Sequence, residues 1–212
     1  MAVKSPVPTF TEEKLLQAQG YRLIAGVDEV GRGALAGPVA AAAVVLPFKL
    51  RGSWLKQVRD SKLLDPPRRE SLSEHIREVA VSFGVGFVSH KVIDRIGIVK
   101  ATHRAMKLAI KQLSPPAETL LIDYLLLPGM KLPQKGVPDG DTLCFSIACA
   151  SIVAKVARDR LMCELDVTYH GYSLSENKGY GTAEHLECLQ RLGPCPIHRR
   201  SFSPVRESVQ NI

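Results

Sequence analysis

The sequence predicts an α/β fold: one mixed sheet with helices on both faces. Three observations carry this. Strand-like segments come first with one helix inserted, and then helix, strand and helix alternate. The run "GPVAAAAVVLP" is a continuous apolar strand, of the kind covered on both faces. A long helix from about Phe145 to Leu165 is apolar nearly all round in its first half, so it must be buried. With 212 residues and 45% hydrophobic content the chain can bury one sizeable core. A single domain over 1–212 is expected, with a helical extension over about 1–20 and a C-terminal helical segment over about 182–212.

"TFTEEKLLQAQG" predicts a short helix, with Thr9 and Glu12 at capping-box spacing and Gly20 as its stop. Tyr21 to Val30 and Gly37 to Pro47 predict two strands, joined by a glycine-rich link short enough for a hairpin. In "LLDPPRRESLSEHIREVA" Asp65 is placed to cap a helix and Pro66 suits its first turn; Leu72, Ile76 and Val79 give one apolar face. "VSFGVGFVS" alternates, so it predicts a strand with Val81, Phe83, Val85 and Phe87 on the apolar side. Ser89 can cap the next helical region. Ile98, Ala101, Ala105, Leu108 and Ala109 mark a helix ended by Pro115 and Pro116. "TLLID" is a short strand ending in Asp123. The turn-rich "LLPGMKLPQKGVPDGD" predicts a loop with a short strand near Met130. "TAEHLECLQRLG" predicts a last helix, stopped by Gly193 and Pro194, and the basic tail after His198 is expected on the surface.

The formal charge is +7, with basic residues spread along the chain, so a folded protein with a polyanionic partner such as nucleic acid is indicated. The longest apolar stretch, around Ala40 to Pro47, is too short to span a bilayer, and the N-terminus lacks an apolar signal core. A cytoplasmic location away from membranes follows. The five cysteines are odd in number and contain no Cys-x-x-Cys, which argues against a disulfide framework. Cys195 and His198 lack the second pair that a tetrahedral zinc site needs. The cysteines read as small, buried or half-buried side chains.

Four acids sit where their neighbours are apolar or turn-forming. Asp28 and Glu29 end one strand, Asp123 ends another, and Asp141 follows "PDG" just before the long helix. Each alone could be a strand-end or capping residue. Together, two strand ends carry the same chemistry, and sites in open α/β sheets form at strand ends. Clustered carboxylates resist ionisation, and a divalent cation removes that penalty. Oxygen-only ligands select Mg²⁺ or Mn²⁺. An acidic metal cluster in a basic protein suggests phosphodiester chemistry, in which two metals clamp the attacking and leaving oxygens. "GRGALAG" is not a dinucleotide fingerprint, because a strand and not a helix follows it. Gly31 and Gly33 can bring main-chain groups close to a ligand, Arg32 can meet a phosphate, and such a loop could sense a 2′-hydroxyl.

"GVDEVGRGALAGPV", "DSKLL", "LLIDYLLLP", "GD…SIACASIVAKVARD" and "NKGYGTAEHLECL…HRRSFSPV" occur in this order from about Tyr21 to Val205. In these motifs the chain resembles bacterial ribonuclease HII, the type 2 ribonuclease H. The resemblance implies a ribonuclease H-like fold with a mixed five-stranded sheet plus C-terminal helices. It implies a metal-dependent endonuclease that cuts the RNA strand of RNA–DNA hybrids. It also implies nicking of duplex DNA on the 5′ side of a single ribonucleotide, leaving 3′-hydroxyl and 5′-phosphate ends. Asp28, Glu29, Asp123 and Asp141 match the family's catalytic, metal-binding acids. Gly31, Arg32 and Gly33 match the Gly-Arg-Gly motif that reads the 2′-hydroxyl through main-chain atoms. Tyr180 matches a tyrosine that packs on the neighbouring sugar, and Lys62 a residue that contacts the nucleic acid backbone. Ala34 stands where the family often has proline. Gly97 stands where an asparagine associated with a backbone contact often precedes the helix.

On the long helix Ser151, Lys155 and Arg158 share a face by their spacing. They form either a solvated or salt-bridged stripe involving Asp159 or, for Ser151 or Lys155, a phosphate-facing position. A monomer is expected. Two other functions fit parts of the pattern: another nuclease or strand-transfer enzyme on the same fold, and a non-catalytic nucleic-acid binder. The type 3 enzymes carry an extra N-terminal domain, and the roughly twenty residues before the first strand leave no room for one.

Overall fold

A computed structural model describes residues 7–210. Residues 1–6 and 211–212, which the expected extension and C-terminal segment include, lie outside the described residues. In chain order the elements are α1 (Thr11–Ala18), β1 (Ile24–Val30), β2 (Val39–Val45), two short 3-10 turns (Ser53–Gln57 and Ser61–Leu63), α2 (Pro66–Val79), β3 (Ser82–Val88), α3 (His90–Ile96) and α4 (Ile98–Lys111). They continue with β4 (Thr119–Asp123), β5 (Gln134–Val137), α5 (Gly140–Leu143), α6 (Phe145–Thr168), α7 (Leu174–Asn177), α8 (Ala183–Leu192) and α9 (Ser203–Gln210).

The five strands form one mixed sheet in the order β3-β2-β1-β4-β5. β1–β2 and β2–β3 are antiparallel; β1–β4 and β4–β5 are parallel. Helices cover both faces. Ala41, Ala43, Ala25 and Val27 pack with Ala101, Ala105 and Met106 of α4. Ala42 and Val44 pack with Ala148 and Ile152 of α6 and with Ile76 of α2. The alanine run of β2 leaves room for a helix to approach each face closely. At Gly26 of β1 a Cβ would overlap the Ser146 backbone, so the start of α6 lies directly on the strand that carries Asp28.

Several local expectations are corrected. On β3 the more deeply covered face is Ser82, Gly84, Gly86 and Val88, while Phe83 and Val85 of the Val-Phe face are half-buried against the core shared by α2 and α6. A Cβ at Gly84 or Gly86 would overlap the Ala109 or Ala105 carbonyl of α4, so contact there runs through backbone. Val81 and Phe87 are exposed. Thr9 does not cap α1. Its N–H and C=O bond Leu143 and Phe145 at 3.0 Å each, which takes it out of the cap position. The last strand is β5, four residues beyond Met130, because Met130 closes a turn on the Leu127 carbonyl. Asp65 caps α2 as expected. Cys163 is exposed, whereas the other cysteines are buried or half-buried. The segment after His198 is no surface tail: Arg199 and Val205 are fully buried. Among the described residues no helix is long and apolar enough to cross a membrane.

Candidate active site

The parallel pairing of β1 with β4 runs in register to Val27↔Ile122, so Asp28 and Asp123 leave the sheet side by side. Glu29 follows on β1, and Asp141 sits in the first turn of α5. The Gly140 N–H donates to Asp123 Oδ1 at 2.7 Å, tying that turn to the end of β4. All four acids line one open cavity of ≈ 410 Å³. Gly31, Arg32, Gly33, Lys62, Ser151, Lys155 and Tyr180 line it too, so the cavity gathers every residue the sequence singled out for the site.

Negative charge is crowded here. Burial pushes the Asp28 carboxyl well above the ordinary range, and the charges of Glu29 and Asp123 push it further. The Ser151 hydroxyl and the Glu29 N–H, which donates to Asp28 Oδ1 at 2.7 Å, oppose this only in part. Asp123 is pushed up to about 6, first by burial and then by Asp141 and Glu29, against the Gly140 N–H. Two cations answer the acids. Lys62 Nζ lies 3.3 Å from Asp141 Oδ2, and Arg32 Nη1 lies 3.2 Å from Glu29 Oε1. Burial alone would lower the Lys62 pKa, but Asp141 and Asp60 raise it overall. The second Glu29 oxygen is buried with no partner. No three His, Cys, Asp or Glu side chains among the described residues close into a ligand shell. The cavity thus holds an oxygen-only donor set with one orphaned oxygen, which fits a hard divalent cation.

The opposite wall is made of backbone. Gly31 turns at φ +86°, and the Arg158 side chain fills the space where its Cβ would stand. The Leu35 and Ala36 N–H groups both donate to the Gly179 carbonyl, at 2.7 and 3.2 Å, joining this turn to the Tyr180 loop. Arg158 and Lys155 lie 5.5 and 5.9 Å from the Tyr180 ring centroid. A histidine pair secures Tyr180 from behind. The Cys195 N–H donates to His198 Nδ1 at 3.0 Å, so the proton of neutral His198 is on Nε2. Nε2 then donates to His185 Nε2 at 3.1 Å, and His185 Nδ1 donates to the Tyr180 carbonyl at 2.8 Å. Burial, then the His185 charge, lowers His198 to about 4, which keeps this relay neutral.

The three residues sharing a face of α6 separate in role. Ser151 meets Ser61 at 3.0 Å and touches Asp28. Lys155 pairs with Asp159 at 2.8 Å. Arg158 is fully buried and bonds the Pro38, Ala36 and Lys178 carbonyls, so it belongs to no solvated stripe. Sequence reasoning missed Ser61, although it stands in "DSKLL" beside Lys62. It also missed Arg199, whose place in a basic run resembles a surface tail. Gly97 has φ 79° and ψ 158°, a conformation essentially confined to glycine. The backbone before α4 is therefore one that the family's asparagine would adopt only under strain.

Carboxylates at the ends of adjacent parallel strands in this mixed sheet place the fold in the ribonuclease H-like class. The chain belongs to the ribonuclease HII family, whose model, Ribonuclease HII, matches residues 25–205. It is 57% identical over 205 residues to the Ribonuclease HII of Dehalococcoides mccartyi, covering 97% of each chain. It is 51% identical over 200 residues to that of Geobacter metallireducens, covering 94% of this chain and 92% of the relative. The fold is similar to the crystal structure of the ribonuclease H2 from Pyrococcus horikoshii OT3, with TM-score 0.73 and 24% identity over 88% of this chain and 97% of that one. The protein is accordingly an endonuclease of the type 2 ribonuclease H class.

Proposed function

We propose that the enzyme hydrolyses the RNA strand of RNA–DNA hybrids. We further propose that it nicks duplex DNA on the 5′ side of a single embedded ribonucleotide, leaving 3′-hydroxyl and 5′-phosphate ends. The supporting observation is the buried Asp28 beside Asp123, both with raised pKa, next to the unpartnered Glu29 oxygen. Such a set is stable as full carboxylates only with a cation among them. Asp28, Glu29, Asp123 and Asp141 are assigned to hold one or two Mg²⁺ or Mn²⁺ ions. Bound there, the ions supply charge compensation at the attacking and leaving oxygens of the phosphodiester.

The chain's own groups do the rest. Lys62 and Arg32, beside Asp141 and Glu29 on the cavity wall, are placed to meet a substrate phosphate. Ser151 steadies Asp28, and Lys155 offers a further phosphate contact from the same helix. The main chain at Gly31 to Gly33 inspects the sugar, and the Tyr180 ring packs against its neighbour. The domain acts as a monomer on the hybrid or the ribonucleotide-containing duplex.

The test is a duplex with one DNA–RNA–DNA strand, incubated with and without chelator. Cleavage at the 5′ side of the ribonucleotide, abolished by chelator and restored by Mg²⁺ or Mn²⁺, is expected. Cleavage indifferent to the 2′-hydroxyl would point instead to a different nuclease on this fold, and binding without turnover to a non-catalytic binder.

A further inference from the structure

Behind the Gly31–Gly33 turn lies a charge that catalysis does not use. Arg199 is fully buried, and its guanidinium donates to three main-chain carbonyls. Nη2 reaches Gly31 O at 2.7 Å, Nη1 reaches Arg32 O at 2.8 Å and Nε reaches Gly37 O at 3.0 Å. Its own N–H donates to Leu35 O at 2.8 Å. None of these partners is a carboxylate. Burying an unpaired guanidinium is unfavourable, and an apolar side chain would fill the same volume without that penalty. The charge therefore needs a reason at the carbonyls it meets.

Those carbonyls suggest one. The Gly31 and Arg32 carbonyls belong to the peptide groups whose N–H atoms are on Arg32 and Gly33. Among the described residues neither N–H donates to another protein group. Both residues line the cavity, and the space over Gly33 is open. A cation on a peptide oxygen fixes the plane of that peptide and polarises its N–H into a stronger donor. Two such N–H groups, side by side on the cavity wall and held from behind, form a ready site for a sugar oxygen.

We infer that Arg199 is a positioning residue for ribonucleotide selection: from the C-terminal segment it orients and polarises the Gly31–Arg32 and Arg32–Gly33 peptides so that their N–H groups meet the 2′-oxygen. This rests on the substrate reading above. Arg158, by contrast, packs against Gly31 but donates to the Ala36, Pro38 and Lys178 carbonyls and to neither of these two peptides.

The test is Arg199→Lys, because one ammonium cannot reproduce a planar fork to three carbonyls. Turnover of the single-ribonucleotide duplex is compared with wild type, and the backbone amide ¹H and ¹⁵N shifts of Arg32 and Gly33 are compared in the unliganded proteins. A fall in kcat of about tenfold or more with KM little changed is expected, as for a group acting only in the transition state. Those two amides should shift, having lost the guanidinium on their peptide oxygens, while the α6 amides stay in place. Wild-type kcat in the folded variant overturns the inference, whatever the shifts show. So does loss of cooperative unfolding, which would assign Arg199 to the stability of the whole domain. If wild type itself ignores the ribonucleotide, the substrate reading fails, and that result is separate because the amide shifts need no turnover.

Discussion

On one wall of the cavity four carboxylates converge; on the other, two guanidiniums are buried behind main-chain carbonyls. Both walls put charge in a poorly solvated place, and they handle it in opposite ways. The Arg158 and Arg199 charges are met by fixed carbonyl oxygens, so that wall is complete in the protein alone. The carboxylate wall is not. Asp28 and Asp123 are pushed toward protonation, and a Glu29 oxygen has no partner. On the function proposed above, the difference separates two tasks: the wall assigned to reading the sugar is preorganised before substrate arrives, whereas the wall assigned to cutting is left short of positive charge.

The sharpest way to break this comparison is to relieve the acid wall. Asp28→Asn and Asp123→Asn should each reduce cleavage by about three orders of magnitude, the scale of losing a principal electrostatic group at the reacting centre, while duplex binding survives. In chelator, Asp28→Asn should also melt higher than wild type. A carboxyl whose folded pKa lies above its unfolded value destabilises the fold once pH passes the unfolded value, and at neutral pH that penalty is in force. Each kcal/mol relieved is worth about 2–4 °C at this chain length. Near-normal cleavage by either variant, or a lower melting temperature for Asp28→Asn, would remove the contrast between the walls.

How much of each wall the sequence announces differs for the same reason. The acids are legible because carboxylates ending "AGVDE" and "LLID" violate the apolar pattern around them. The supports of the reading wall are not legible. Arg199 in "HRRSF" is written like any exposed basic residue, and only the fold brings it behind Gly31, 168 positions earlier in the chain. The sheet was legible through "VAAAAVV", but the face of β3 was not. There the side that is more deeply covered is the one with fewest side-chain atoms, because α4 contacts backbone at Gly84 and Gly86. Hydrophobic alternation presumes that side chains make the contact, and at that point they do not.

A smaller effect tests the reading wall at its aromatic. Tyr180→Ala should slow cleavage at a lone ribonucleotide by about tenfold, the scale of one lost aromatic contact. Its measurement is single-turnover cleavage of the chimeric duplex, and equal rates would take Tyr180 out of the site. The histidine relay behind it gives a pH signature. Burial holds the folded His198 pKa at about 4, below its ordinary value, and His185 is lowered too, again chiefly by burial. As pH falls from neutral the unfolded chain takes up these protons first. The stability they support is complete above the unfolded pKa, near 6.5, and is lost as pH falls toward about 4. His198→Gln should flatten the melting curve against pH in that window; an unchanged profile would show that the pair does not titrate with unfolding.

The smallest effect is expected where the two walls meet on α6. Lys155 lines the cavity, yet its ammonium is committed to Asp159 at 2.8 Å, and Asp159 is shared with Arg69 at 3.3 Å. Burial lowers the Lys155 pKa, and Asp159 opposes that shift. A phosphate approaching Lys155 must therefore compete with a partner already in place, so the net gain per contact is small. Lys155→Gln should raise KM about two- to threefold and reduce the salt dependence of binding by about one counterion, with kcat nearly unchanged. Salt titration of duplex binding, followed by fluorescence anisotropy, separates the cases. An unaltered slope with unaltered KM would leave Lys155 to the Asp159 pair alone, and Lys62 and Arg32 would then be the cations that meet the substrate.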